Sequence, residues 1–156
     1  LAGSAYASDA YSAVTAPAAS VIGPIIMANV SGVWYTRISI QNTGGSNADV
    51  TVHYVGTGAP ADQTITGLPP NMTAWVDQAD LPAGTTFNGA VVITCTNGQQ
   101  LAVVVEEYKT SGGVLVSYNA LPSSDAGTTV TDFPSLTASS FHFGALSSLS
   151  QVPMWM

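Results

Sequence analysis

Apolar and polar residues alternate with a period of two through the middle of this chain, and that pattern predicts half-buried strands. In Trp34–Gln41 one face reads Trp34, Thr36, Ile38 and Ile40, and the other Tyr35, Arg37, Ser39 and Gln41. Val50, Val52 and Tyr54 share a face in the next run, opposite Thr51 and His53. The Asn42–Asn47 segment between them is a turn by composition, since Gly and Asn tolerate positive φ. Shorter strands are expected at Gln63–Thr66 and Met72–Val76, around Leu68-Pro69-Pro70-Asn71. Gly89–Thr96 and Gln100–Tyr108 flank Asn97-Gly98, the strongest two-residue hairpin signal in the chain. Their near-continuous apolar cores suggest central strands covered on both sides. A further strand is expected at Gly113–Tyr118. No helical period exceeds two turns, so the reading is all-β: an antiparallel, Ig-like β-sandwich.

The two ends break the pattern. Residues 1–20 are mostly Ala, Ser and Thr, with Tyr6 and Tyr11 as the large side chains. Such a segment forms no core of its own and reads as an N-terminal arm that can lend a strand to another copy. Residues 21–127 make the sandwich core. Residues 128–156 read as a C-terminal strand followed by an apolar tail, Val152–Met156. Exposed Trp155 and Met156 would be a liability for a free monomer. Tyr6, Tyr11, Trp155 and Met156 are therefore the expected intersubunit contacts. Pro24–Ala28 is echoed by Pro134–Ala138, as in a module followed by the first strand of the next.

Charge changes this picture most. Only 7% of the chain is charged, with Arg37 and Lys109 the two basic residues against nine acids. Ordinary soluble domains carry about 25%. Ser and Thr, 17 of each, supply the polar surface instead. A surface so poor in charge suits a secreted protein that touches copies of itself. A net charge of −7 argues against nucleic acid and anionic membranes as partners. No 18-residue apolar run exists, so no membrane span is expected. The small-residue start, Leu1–Ala7, resembles the stretch around a signal-peptide cut. Cys95 is alone and reads as a buried structural thiol.

The chain carries few recognisable chemical motifs. G-x-S-x-G and H-E-x-x-H are both missing. His53 alternates outward on its strand, and His142 lies between Phe141 and Phe143. Asp62, Asp77 and Asp80 are loop acids that lack a calcium-loop spacing. Glu106 and Glu107 point to opposite faces of one strand and cannot act as an acid–base pair. Arg37 and Lys109 are expected to partner surface acids. Trp34 and Trp75 are expected to fill the core, while Trp34, Tyr35 and Trp75 on one exposed face would mean sugar stacking. Sequons at Asn29 and Asn71 fit chance in so Ser/Thr-rich a chain. No catalytic residue, cofactor or metal is assigned, and an enzyme is not expected.

Pro24-Ile-Ile-Met-Ala-Asn29, Trp34 and Ile38-Ser-Ile-Gln-Asn-Thr43 together resemble a β-sandwich module repeated in secreted surface proteins of filamentous bacteria. Val50–Val55, Leu81-Pro-Ala-Gly84, Gly89–Thr94, Leu101–Glu106 and Ser117-Tyr-Asn-Ala120 extend the resemblance over roughly residues 21–122. The Ala-rich first 20 residues and the Met/Trp-rich end depart from it. The resemblance implies a cell-surface sandwich without catalysis. Together these features lead to a secreted structural subunit that self-assembles into an extracellular filament, pilus-like fibre or sheath. Its partners are copies of itself. The alternative is an adhesion module that binds glycans or surfaces.

Overall fold

A computed structural model describes residues 12–110 and 114–124. Nine strands follow in chain order: β1 (Ser20–Ala28), β2 (Trp34–Asn42), β3 (Ala48–Val55), β4 (Gln63–Leu68), β5 (Thr73–Asp77), β6 (Phe87–Cys95), β7 (Leu101–Lys109), β8 (Leu115–Asn119) and β9 (Leu121–Pro122). One 3-10 turn, Gln78–Asp80, follows β5. The strands form two antiparallel sheets, ordered β4-β3-β6-β1-β9 and β5-β2-β7-β8. The fold is an all-β sandwich, as the alternation predicts.

The inner faces are those the period assigned. Ile38 and Ile40 of β2, Val50, Val52 and Tyr54 of β3, and Val103 and Val105 of β7 are all buried between the sheets. Each apolar side chain moved fully from water contributes roughly 1.5–3 kcal/mol. This set, with Ile26, Phe87, Val91, Ile93 and Leu101, is therefore the main source of stability. Cys95 is buried in the same core, as expected.

The connectivity departs from the expected hairpin. β6 and β7 do not pair across Asn97-Gly98; β6 lies between β3 and β1, and β7 between β2 and β8. The turn carries the chain from one sheet to the other. Its Asn97 side chain accepts from the Asp49 amide at 3.2 Å and donates to the Asn47 carbonyl at 2.9 Å, which ties the crossing to the start of β3. Both flanking strands carry an apolar inner face and central positions, so each gains more from two neighbours in its own sheet than from the other. Nor are β6 and β7 covered on both sides. Their outward residues, among them Val92, Ala102 and Val104, are half-buried.

The chain closes one flank by changing sheets at its end. β8 pairs with β7, and after Ala120 the short β9 pairs with β1 at Val21 and Ile22. Residues 1–20 were expected as an arm, and the part within the described residues lies on its own sandwich. Ala18 exchanges two backbone hydrogen bonds with Leu101, and Asn119 Nδ2 donates to the Ser12 carbonyl at 2.9 Å. Tyr6, Tyr11, His142, Trp155, Met156 and the strand expected from residue 128 onward lie outside the described residues.

Candidate functional site: the outer face and free edge of the four-stranded sheet

The alternation that buries Ile38 and Val76 turns Arg37, Ser39, Trp75 and Asp77 to the opposite face of the same sheet. Antiparallel register sets Trp75 opposite Ser39, and Asp77 opposite Arg37. On the other side of β2, Tyr35 lies opposite Tyr108 and Arg37 opposite Glu106. This outer face is the most aromatic surface of the described residues.

Asp77 organises its polar part. Arg37 Nε and Nη2 lie 3.0 and 2.9 Å from Asp77 Oδ2. The Tyr108 hydroxyl donates to Asp77 Oδ1 at 2.7 Å, and the Ala79 amide donates to the same oxygen at 3.0 Å, capping the 3-10 turn. The hydrogen bond that Arg37 donates to Asp77 raises its guanidinium above its ordinary value. Burial, then the bond to Asp77, pushes the Tyr108 phenol above its usual range. The Arg37 guanidinium also sits 5.6 Å from the Tyr108 ring centre, and the Tyr35 and Tyr108 rings stack at 6.0 Å. Such contacts hold both tyrosines against the sheet.

Trp75 is different. It is 72% exposed, and Met72, just before β5, is 56% exposed. The core placement expected for Trp75 is thus corrected. It shares the period-two set of Thr73 and Asp77, while Ala74 and Val76 face inward, so the alternation itself carried the signal. Trp34 is half-buried at the end of β2, with Lys109 Nζ 5.8 Å from its ring centre. Lys109 therefore meets an aromatic ring where a surface acid was expected, whereas Arg37 does pair with one.

The three loop acids do not converge. Asp77 is committed to Arg37, and Asp62 Oδ1 lies 2.9 Å from Nδ1 of His53, which is exposed as expected. Asp62 and Asp80 do line one open cleft of about 520 Å³ with Leu81, Pro82, Thr85 and Thr86. Among the described residues no group of three or more His, Cys, Asp or Glu side chains is placed to hold a metal. Glu106 and Glu107 point to opposite faces, as their spacing requires. Glu107 is buried, which the sequence did not reveal, and burial pushes its carboxyl up to about 7.

Among the described residues no helix is long and apolar enough to cross a membrane. No family model, curated protein or solved structure matches the chain.

Proposed function

We propose that this chain is a secreted, non-enzymatic structural subunit that self-assembles into an extracellular filament, pilus-like fibre or sheath. The observation that carries the reading is the free edge at β5. Among the described residues β5 pairs with β2 alone, and this edge presents Trp75 and Met72 to solvent. Edge strands are usually guarded by Lys, Pro or an inward charge. Thr73–Asp77 contains neither Lys nor Pro, and the carboxylate of Asp77 is held by Arg37. A strand from a second copy laid along β5 would satisfy its outward backbone groups and cover the indole. The segment with Tyr6 and Tyr11 is the proposed donor, with Trp155 and Met156 as further contacts. The 7% charge content supports the same reading, because little repulsion opposes close approach of copies. The resemblance to surface-protein modules of filamentous bacteria supports an extracellular setting.

Electron microscopy and light scattering of the full chain test the proposal. Regular fibres or sheaths are expected, and Trp75→Lys should leave a folded β protein that no longer assembles. Removal of residues 1–11, which spares the contacts made by Ser12 and Ala18, should likewise abolish fibres. Monomers at high concentration, or unchanged assembly in Trp75→Lys, would overturn it.

One observation favours glycan binding as a second reading: Trp75 and Tyr35 lie on one outer face, beside the hydroxyl of Ser39 and the amide of Gln41. Quenching of Trp fluorescence by saccharides, lost in Trp75→Ala while the chain still assembles, would support that role.

A further inference from the structure

We propose that assembly runs head to tail: the arm leaving the β8 flank of one copy lies along β5 of the next, so that each copy donates once and accepts once. The inference rests on the self-assembly reading above and adds its direction. β5 bonds to β2 through alternate residues. The Asn42 amide donates to the Met72 carbonyl, and the next amide, of Thr43, donates to the Gln100 carbonyl on the β7 side. Bonds in an antiparallel sheet alternate in this way between the two neighbours, so Ala74 and Val76 are the β5 residues that bond to β2. The backbone N–H and C=O groups of Thr73 and Trp75 therefore point away from β2, along the free edge, with the exposed Trp75 indole beside them. An extended segment laid there pairs with those groups and covers the ring.

The donor leaves from the opposite side. β2 occupies one side of β7 as far as Asn42 opposite Leu101, so Ala18, which bonds to Leu101, lies on the other side, in line with β8. Further back, the Ser12 carbonyl is held by Asn119, the last residue of β8. In the order β5-β2-β7-β8 the two edges are three strand spacings apart, about 14 Å. Tyr11 directly precedes Ser12, and consecutive Cα atoms are about 3.8 Å apart, so it cannot reach β5 of its own copy. A reciprocal exchange, with two copies trading arms across facing β5 edges, would make each arm cross its own sheet first. That crossing uses about four extended residues, Tyr11 among them, before any pairing begins. With the next copy's β5 set beside the β8 flank, the arm meets its acceptor at once. Residues 1–11 extend to roughly 36 Å, ample for the length of Thr73–Asp77. Such a contact joins two different surfaces of the same chain. It builds open helices or rings rather than a closed pair, and a filament is the open case.

The test is complementation between two blocked chains. Trp75→Lys keeps the arm and loses the acceptor edge. A chain lacking residues 1–11 keeps the edge and loses the donor, while the contacts of Ser12 and Ala18 stay in place. Each alone should remain monomeric. Mixed in equal amounts, they should form a one-to-one complex in sedimentation velocity and stop there, because one arm meets one open edge. Either variant, added to the wild type as a minor component, should shorten its fibres in electron micrographs. Wild-type fibres together with an unreactive mixture would overturn the head-to-tail arrangement and leave self-assembly standing. A wild type that stops at dimers would overturn the arrangement as well. Wild-type monomers at high concentration would sink the self-assembly reading itself, and this inference with it. Should the shortened chain not fold, Tyr6→Asp with Tyr11→Asp in the full chain replaces it as the edge-only partner.

Discussion

The Tyr118 hydroxyl donates to the Ile25 carbonyl at 2.6 Å and accepts from the Ile25 amide at 3.2 Å, so one side chain satisfies both backbone groups of a residue in the opposite sheet. Ile25 lies where the pairing of β1 with β6 shifts register, between Gly23 and Ile26, and where β9 no longer runs beside β1. Two residues on, the Met27 amide is taken by Thr36 Oγ1, again from the other sheet. Side chains thus close this flank of the sandwich where a strand would otherwise be needed. Among the described residues β5 pairs with β2 alone and has no comparable side-chain cover, which is why we propose assembly at that edge.

Tyr118→Phe keeps the ring and deletes both bonds. The Ile25 amide and carbonyl would then stand unpaired beside the core, a change of about 1–3 kcal/mol in unfolding free energy. Chemical denaturation should show that loss. Hydrogen exchange should quicken at Ile25 far more than at Val50 or Val52, in the centre of the other flank. Equal protection at Ile25 in both proteins would rule out this closing role.

Glu107 makes stability depend on pH. Burial raises its carboxyl from 4.5 to about 7, so the folded chain favours the protonated form while the unfolded chain ionises near the lower value. Between these two pH values the folded state binds more protons than the unfolded state, and stability must fall as pH rises. The contribution is fully present below about 4.5 and gone above about 7. At 1.36 kcal/mol per pKa unit the loss is roughly 3 kcal/mol. Thermal melts across this window should show the decline, and Glu107→Gln should flatten it. A Gln variant with the wild-type slope would place the titrating group elsewhere.

Asn42 closes the turn between β2 and β3. Fully buried, it donates to the Ser46 and Leu68 carbonyls at 2.7 and 2.9 Å and accepts from the Gly44 amide at 2.9 Å. Asn42→Ala removes all three bonds and leaves their partners without replacements. A loss of roughly 2–4 kcal/mol is expected, the range for breaking a buried polar network. Urea titration measures it; a change below about 0.5 kcal/mol, the size of a neutral surface substitution, would contradict the assignment.

Gly89 is set by close approach. A Cβ at this position would lie 2.5 Å from the Val55 carbonyl oxygen and 2.5 Å from the Phe87 ring. Since one obstacle is backbone, the conflict cannot be relieved by a rotamer change. Gly89→Ala should destabilise the domain by about 1–3 kcal/mol, as overpacked cores do. Gly45→Ala, where a Cβ meets nothing within 4 Å, is the control and should be near neutral. Matching melting temperatures for the two variants would refute the steric argument.

Local periodicity determined the strands with clean alternation, though not β1, whose alternation is broken where its pairing shifts register between Gly23 and Ile26, and it determined which side of those strands turns inward. Side chains alternate across a strand whatever lies beside it, so Ile38, Val52 and Val103 could be assigned to the core, and His53 to solvent, from neighbours in the chain alone. The separation of Glu106 from Glu107 follows from the same rule. Which strands become neighbours is a different kind of question. Asn97-Gly98 permits a tight hairpin, but β6 takes β1 and β3 as neighbours and β7 takes β2 and β8, so the two belong to different sheets. The exposure of Trp75 depends on β5 being an edge, and the burial of Glu107 on what the opposing sheet lays over it. The meeting of Tyr118 with Ile25 requires both sheets to be in place. Such contacts join residues far apart in the chain, so no local pattern encodes them; only the packing of one sheet on the other decides them.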